Sequence, residues 1–139
     1  MVGILEIELD GLDHVAIRVA DLERSAEWYS KVLGLKRYQL PEWGDFPLFL
    51  LAGKSGVALF PANLEDPELP PLTKNIGMDH FAFHLSQENF KKAIQHYDAL
   101  KLVYTIKDHH YFDSVYTEDP DGHTVELTSI KVNPQEFYK

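Results

Sequence analysis

The chain has 139 residues, a formal charge of -9, 45% hydrophobic and 25% charged residues, and no cysteine. That length bounds the fold to one compact domain or two very small halves, and it suffices for a sizeable core. The acidic balance repels phosphate backbones and anionic lipid heads, no apolar run approaches the about 20 residues that cross a bilayer, and the lack of thiols excludes disulfide and thiolate chemistry.

Nucleic acid and membranes are therefore not expected partners, and any metal must be held by His, Asp or Glu. The start, Met1-Val2-Gly3-Ile4-Leu5-Glu6, lacks a basic region followed by an apolar stretch, so no signal peptide is expected and the protein reads as cytoplasmic.

Residues 1–9 alternate loosely and suggest an edge strand or arm. Over 12–20 the alternation is better: Val15, Ile17 and Val19 take one face, and His14, Ala16 and Arg18 the other, as in a half-buried strand. Asp21 is placed to cap a helix, Leu22, Ala26, Tyr29 and Leu33 supply its apolar stripe, and Gly34 its end. Short strands are predicted over 36–40, 46–52 and 56–60, the first and last stopping at Pro41 and Pro61. Residues 61–75 carry Pro61, Pro67, Pro70 and Pro71 and read as an extended linker.

The plan then repeats. Gly77-Met78-Asp79-His80-Phe81-Ala82-Phe83-His84-Leu85 echoes Gly11-Leu12-Asp13-His14-Val15-Ala16-Ile17-Arg18-Val19, 66 residues on. Ser86 caps a predicted helix over 87–100, with Phe90, Ala93, Ile94, Tyr97 and Leu100 as its stripe. Strands are predicted over 102–107, 114–117 and 124–130, the last two joined by the turn Asp119-Pro120-Asp121-Gly122. The fold class is thus α+β: two tandem βαβββ modules in one domain over 1–139, with module one at about 10–61, the linker at about 62–75 and module two at about 76–131.

As pseudo-symmetry mates, the two lead strands put His14 and His80 at equivalent positions. In the last strand Glu126 shares a face with Thr124 and Thr128, opposite Val125 and Leu127. A carboxylate on a central strand needs compensation, and a divalent cation supplies it. Two imidazoles and one carboxylate form a facial triad that suits Fe2+ or Mn2+ and also admits Zn2+, Ni2+ or Co2+. Tyr116, ten residues before Glu126, is a candidate to orient substrate or donate a proton. His110, in the pair His109-His110, is a candidate base. His96 and His123 read as surface residues.

These blocks, together with Asp21-Leu22-Glu23-Arg24-Ser25, Trp28-Tyr29, Val32-Leu33-Gly34-Leu35 and Ser114-Val115-Tyr116, resemble the vicinal oxygen chelate superfamily over about 11–130. That superfamily includes glyoxalase I, bleomycin-resistance proteins, extradiol dioxygenases and fosfomycin-resistance proteins. The resemblance implies sheets curled around a metal cleft, His14, His80 and Glu126 as ligands, bidentate chelation of a small oxygenated substrate, and pairing as a homodimer. Glyoxalase I-like members carry a fourth ligand late in module one; here Leu59 or Phe60 is expected at that place. The favoured expectation is a metal-dependent dioxygenase or glyoxalase-like lyase. A ligand-sequestering protein of bleomycin-resistance type is the alternative. A fosfomycin-modifying transferase ranks lower, because no arginine follows Arg37 to hold a phosphonate.

Overall fold

The computed structural model describes residues 5–63, 65 and 75–138. Most of the expected linker lies outside them. Module one comprises β1 (His14–Val19), α1 (Leu22–Leu33), β2 (Lys36–Tyr38), β3 (Leu48–Ala52) and β4 (Ser55–Pro61), with one 3-10 turn at Pro41–Trp43. Module two comprises β5 (Phe81–His84), α2 (Gln87–Ala99), β6 (Thr105–Asp108), β7 (Phe112–Glu118) and β8 (Thr124–Ile130), and the tail adds a short α3 (Pro134–Phe137).

Each module forms one four-stranded mixed sheet. The orders are β1-β4-β3-β2 and β5-β8-β7-β6, so the two sheets share one topology. In each, the lead strand runs parallel to the last strand of its module, and the remaining pairs are antiparallel hairpin neighbours. The lead strand is therefore at a sheet edge both times.

The helices start and stop where their end residues dictate. Asp21 accepts from the Arg24 N–H at 2.9 Å and Ser86 from the Asn89 N–H at 3.1 Å, each satisfying a free amide of a first turn. Gly34, at φ 71°, closes α1 with a left-handed cap. The buried stripe of α1, Ala26 and Tyr29, packs with Ile17, Val19, Leu48, Leu50, Val57 and Leu59 of sheet one and also with Val125 of sheet two. Phe90 and Tyr97 of α2 join Val115, Leu127 and Val32 of α1. The core therefore spans both modules, and the helices cover one face of each sheet. The opposite faces carry His14, Ala16 and Arg18 in one module and Ala82, Glu126 and Tyr116 in the other.

Backbone approach decides one residue on the first of these faces. A Cβ added at Gly56 would lie 2.1 Å from the Leu50 carbonyl oxygen and 3.0 Å from Leu51 Cα. Gly56 is also the register partner of His14, and its N–H donates to the Asp13 carbonyl at 3.1 Å. Gly56→Ala must push β3 and β4 apart, and is expected to destabilise by about 3 kcal/mol, at the upper end of ordinary overpacking. Gly77→Ala, with nothing within 4 Å of the added carbon, serves as the control in urea unfolding.

Candidate metal centre

The two lead histidines are held in the same way. His14 Nδ1 lies 2.8 Å from Asp13 Oδ2, and His80 Nδ1 lies 2.6 Å from Asp79 Oδ2. A carboxylate on Nδ1 fixes the ring so that Nε2 faces away from it, the usual orientation of a metal-binding imidazole, and Nε2 offers its lone pair once a cation takes the place of a hydrogen there. The repeated Asp-His dipeptide carries this arrangement, and sequence reasoning that weighs only the histidines misses the two aspartates.

His80 stands immediately before β5, which begins at Phe81. Its Nε2 is 2.9 Å from Glu126 Oε1. Glu126 is buried, 7% exposed, in the middle of β8. Ala82 and Tyr116 are its register partners on either side. The Tyr116 ring sits edge-on to the His80 ring, centroids 5.6 Å apart. Burial raises the pKa of the Tyr116 phenol, and the charge and hydrogen bonding of Glu126 raise it further. His109 Nε2 is 2.9 Å from the Tyr116 hydroxyl, and Lys107 Nζ lies 5.7 Å from the centre of the same ring.

Of the His109-His110 pair, it is His109 whose imidazole reaches Tyr116. His110 takes a left-handed φ of 68°, and its backbone N–H donates to Asp108 Oδ1 at 2.9 Å. His123 is not a plain surface residue. Its Nδ1 lies 2.8 Å from Asp119 Oδ2, which also accepts from the Tyr29 hydroxyl at 2.7 Å. The Asp-Pro-Asp-Gly turn thus docks on α1, and Arg24 adds an ion pair to Asp121 at 3.0 Å.

His14 lies in the other sheet, with its ring edge-on to Phe49 at 5.1 Å. Phe49 touches Trp43, and Trp43 touches Tyr38, so the His14 face of sheet one is aromatic. The chain by itself does not bring His14 to the His80–Glu126 pair: among the described residues no group of three His, Cys, Asp or Glu is close enough to hold a metal ion.

A profile of the Glyoxalase/Bleomycin resistance protein/Dioxygenase superfamily matches residues 11–127. The chain belongs to that superfamily. Curated relatives include a protein named metallothiol transferase FosB from Staphylococcus epidermidis, 29% identical over 96% of this chain and 92% of the relative. Another is named glutathione transferase FosA, from Serratia marcescens, at 27% identity over 86% and 80%. Among solved structures, a glyoxalase/dioxygenase from Nostoc punctiforme covers 94% of this chain and 100% of its own with a TM-score of 0.74 at 18% identity, which shows the shared fold.

The strand register locates the module-one counterpart of the superfamily chain's carboxylate. Ala82 pairs with Glu126 in module two, and the equivalent Ala16 pairs with Ala58 in module one. Ala58, rather than Leu59 or Phe60, therefore occupies the position. This differs by one or two residues from the sequence expectation, because alternation does not reveal where pairing begins and a one-residue slip changes the face. Ala58 offers no donor, so module one lacks a counterpart to Glu126.

Proposed function

We propose that this chain is a divalent-metal-dependent enzyme that joins a thiol to a small oxygenated electrophile. The observation that carries the reading is the His80–Glu126 contact, with the imidazole oriented by Asp79 so that its Nε2 meets the carboxylate. His80 and Glu126 supply two of the three expected donors, and His14, oriented by Asp13 in the same manner, supplies the third from a second copy of the chain. When bound, the cation acts as a Lewis acid toward negative charge on a substrate oxygen.

The names of the curated relatives favour thiol transfer over the dioxygenase and lyase chemistry that the sequence resemblance first suggests. In such a transfer a thiolate sulfur attacks carbon, a C–S bond forms as a C–O bond breaks, and the freed oxygen takes a proton. Tyr116 places a hydroxyl beside Glu126 where that oxygen would lie, and Lys107 adds positive charge beside the same ring. The aromatic face around His14 would shelter the apolar part of a substrate.

The test is to load the protein with Mn2+ and supply fosfomycin with L-cysteine or glutathione. Metal uptake, thiol consumption and a mass-detected C–S adduct are expected. Oxygen uptake with catechol and no thiol loss would replace the reading with dioxygenase chemistry. Tight ligand binding without either would replace it with sequestration.

A further inference from the structure

We propose that Arg18 is the anchor for a carboxylate on the thiol substrate, set at the far end of the sheet face that carries His14. This rests on the thiol-transfer reading above and deepens it by naming the class of thiol: one with a carboxylate a few bonds from its sulfur.

The argument begins with charge. The chain has three arginines and a formal charge of -9, so acidic partners are plentiful. Arg24 pairs with Asp121, and Arg37 with Glu23. Arg18 pairs with no carboxylate among the described residues. Its Nη1 donates instead to the Pro61 carbonyl at 2.9 Å, and its Cζ lies 5.4 Å from the centre of the Phe60 ring. A backbone carbonyl and a ring face hold the guanidinium in place without neutralising it. A guanidinium carries five N–H donors in one plane, so a single bond to Pro61 leaves a fork that matches the two oxygens of a carboxylate.

The position on the sheet suits a ligand. His14, Ala16 and Arg18 are all exposed and alternate with the buried Ile17 and Val19 along β1. Their register partners on β4 are Gly56, Ala58 and Phe60. Between the imidazole and the guanidinium the floor is therefore only the two methyl groups of Ala16 and Ala58. Aromatic rings border it, with Phe49 beside His14 and Phe60, backed by Phe46, beside Arg18. The face is a shallow trough with a metal donor at one end and a positive fork at the other.

Distance decides which substrate the fork takes. Four residues of strand separate Arg18 from His14, about 13 Å at about 3.3 Å per residue. A small electrophile chelated by the cation fills the His14 end and is too short to span that gap. The thiol comes to it along the trough, sulfur foremost, and a carboxylate behind the sulfur falls within reach of the Arg18 side chain. Holding that carboxylate aims the sulfur at the electrophile.

The test uses two thiols that differ only in the charge of one group, 3-mercaptopropionate and its methyl ester. In Mn2+-loaded protein with fosfomycin as electrophile, the parent should prefer the acid in kcat/KM. Arg18→Gln should lower that preference about tenfold, through KM for the acid rather than kcat. An unchanged preference would overturn the proposal. A second readout needs no reaction. Without added metal, the Arg18 Nε–H resonance should shift on titration with 3-(methylthio)propionate, a thioether that cannot transfer its sulfur, and not with the methyl ester. No shift, or the same shift with both, would overturn the proposal whatever the enzyme does. Absence of turnover with either thiol would overturn the proposed reaction, and the resonance would then decide whether Arg18 is a carboxylate site.

Discussion

Coexpression of a His14→Ala chain with a Glu126→Ala chain is expected to restore about a quarter of the parent's metal sites, although neither variant alone retains any. Random pairing makes half of the dimers mixed, and each mixed dimer would hold one complete trio of its two, which gives that fraction. The expectation follows from where the donors stand. His80, just before β5, meets Glu126 of sheet two, and His14, in sheet one, forms no metal-binding group with them among the described residues. Both lead strands are sheet edges with one neighbour each, and an edge invites pairing with another chain. Apolar side chains beside those edges are bare: Leu5, Ile7, Leu9 and Leu12 before β1, and Ile76 and Met78 before β5. A second copy would cover them. Metal content of the coexpressed, copurified proteins measures the result. If the mixture holds no metal while the parent does, the trio closes within one chain and the shared site is wrong.

The second large effect concerns stability. Asp119→Ala is expected to cost about 3–5 kcal/mol, the range for breaking a buried charge pair by removing one member. Asp119 is only 5% exposed and accepts from four donors: the Tyr29 hydroxyl, His123 Nδ1, and the N–H groups of Asp121 and His123. Removing the carboxylate strands all four. Tyr29 is fully buried in α1, so its hydroxyl cannot turn to water. Tyr29→Phe removes one donor and leaves the other three paired, so its cost should fall near the about 1–3 kcal/mol of a single buried hydrogen bond to a charged group.

The same cluster sets a pH window. Burial works to raise the Asp119 pKa, but the hydrogen bonds from His123 and Tyr29 outweigh it and leave the carboxyl below its ordinary value. The hydrogen bond to Asp119 raises the pKa of His123 despite burial. The Asp119 contribution is therefore present above the unfolded carboxyl value and is lost as pH falls through the depressed folded one. The His123 contribution is full below the unfolded imidazole value and is lost as pH rises through the raised folded one. With unfolded values of about 4 and about 6.5, both contributions hold together between those limits. Urea unfolding across pH should show the maximum there, and Asp119→Asn should flatten the decline on both sides. A parent curve that is level from pH 4 to pH 9 would contradict the assignment.

The modular plan was legible because its punctuation is local. Asp21, Gly34 and Ser86 mark helix ends through contacts only a few residues away, and the Asp-Pro-Asp-Gly turn sets its hairpin the same way. What eluded the sequence lies in distances between segments. Tyr29 and Asp119 are 90 positions apart, so nothing near His123 announces that its aspartate partner docks on the first helix. The choice between His109 and His110 depends on one backbone reversal, which alternation cannot foresee. The position of Ala58 depends on pairing register, and the Asp79–His80–Glu126 contact depends on two strands meeting in parallel. Residue types thus point to the metal chemistry, but only the paired strands show which donors one chain can assemble.

If the proposed dimer divides the three donors between copies, metal occupancy becomes a mass-action quantity. With donors divided between copies, dilution that separates the copies also releases the ion, and a chelator that takes the ion weakens the association by the same free energy. Metal content and protein concentration would then have to be reported together.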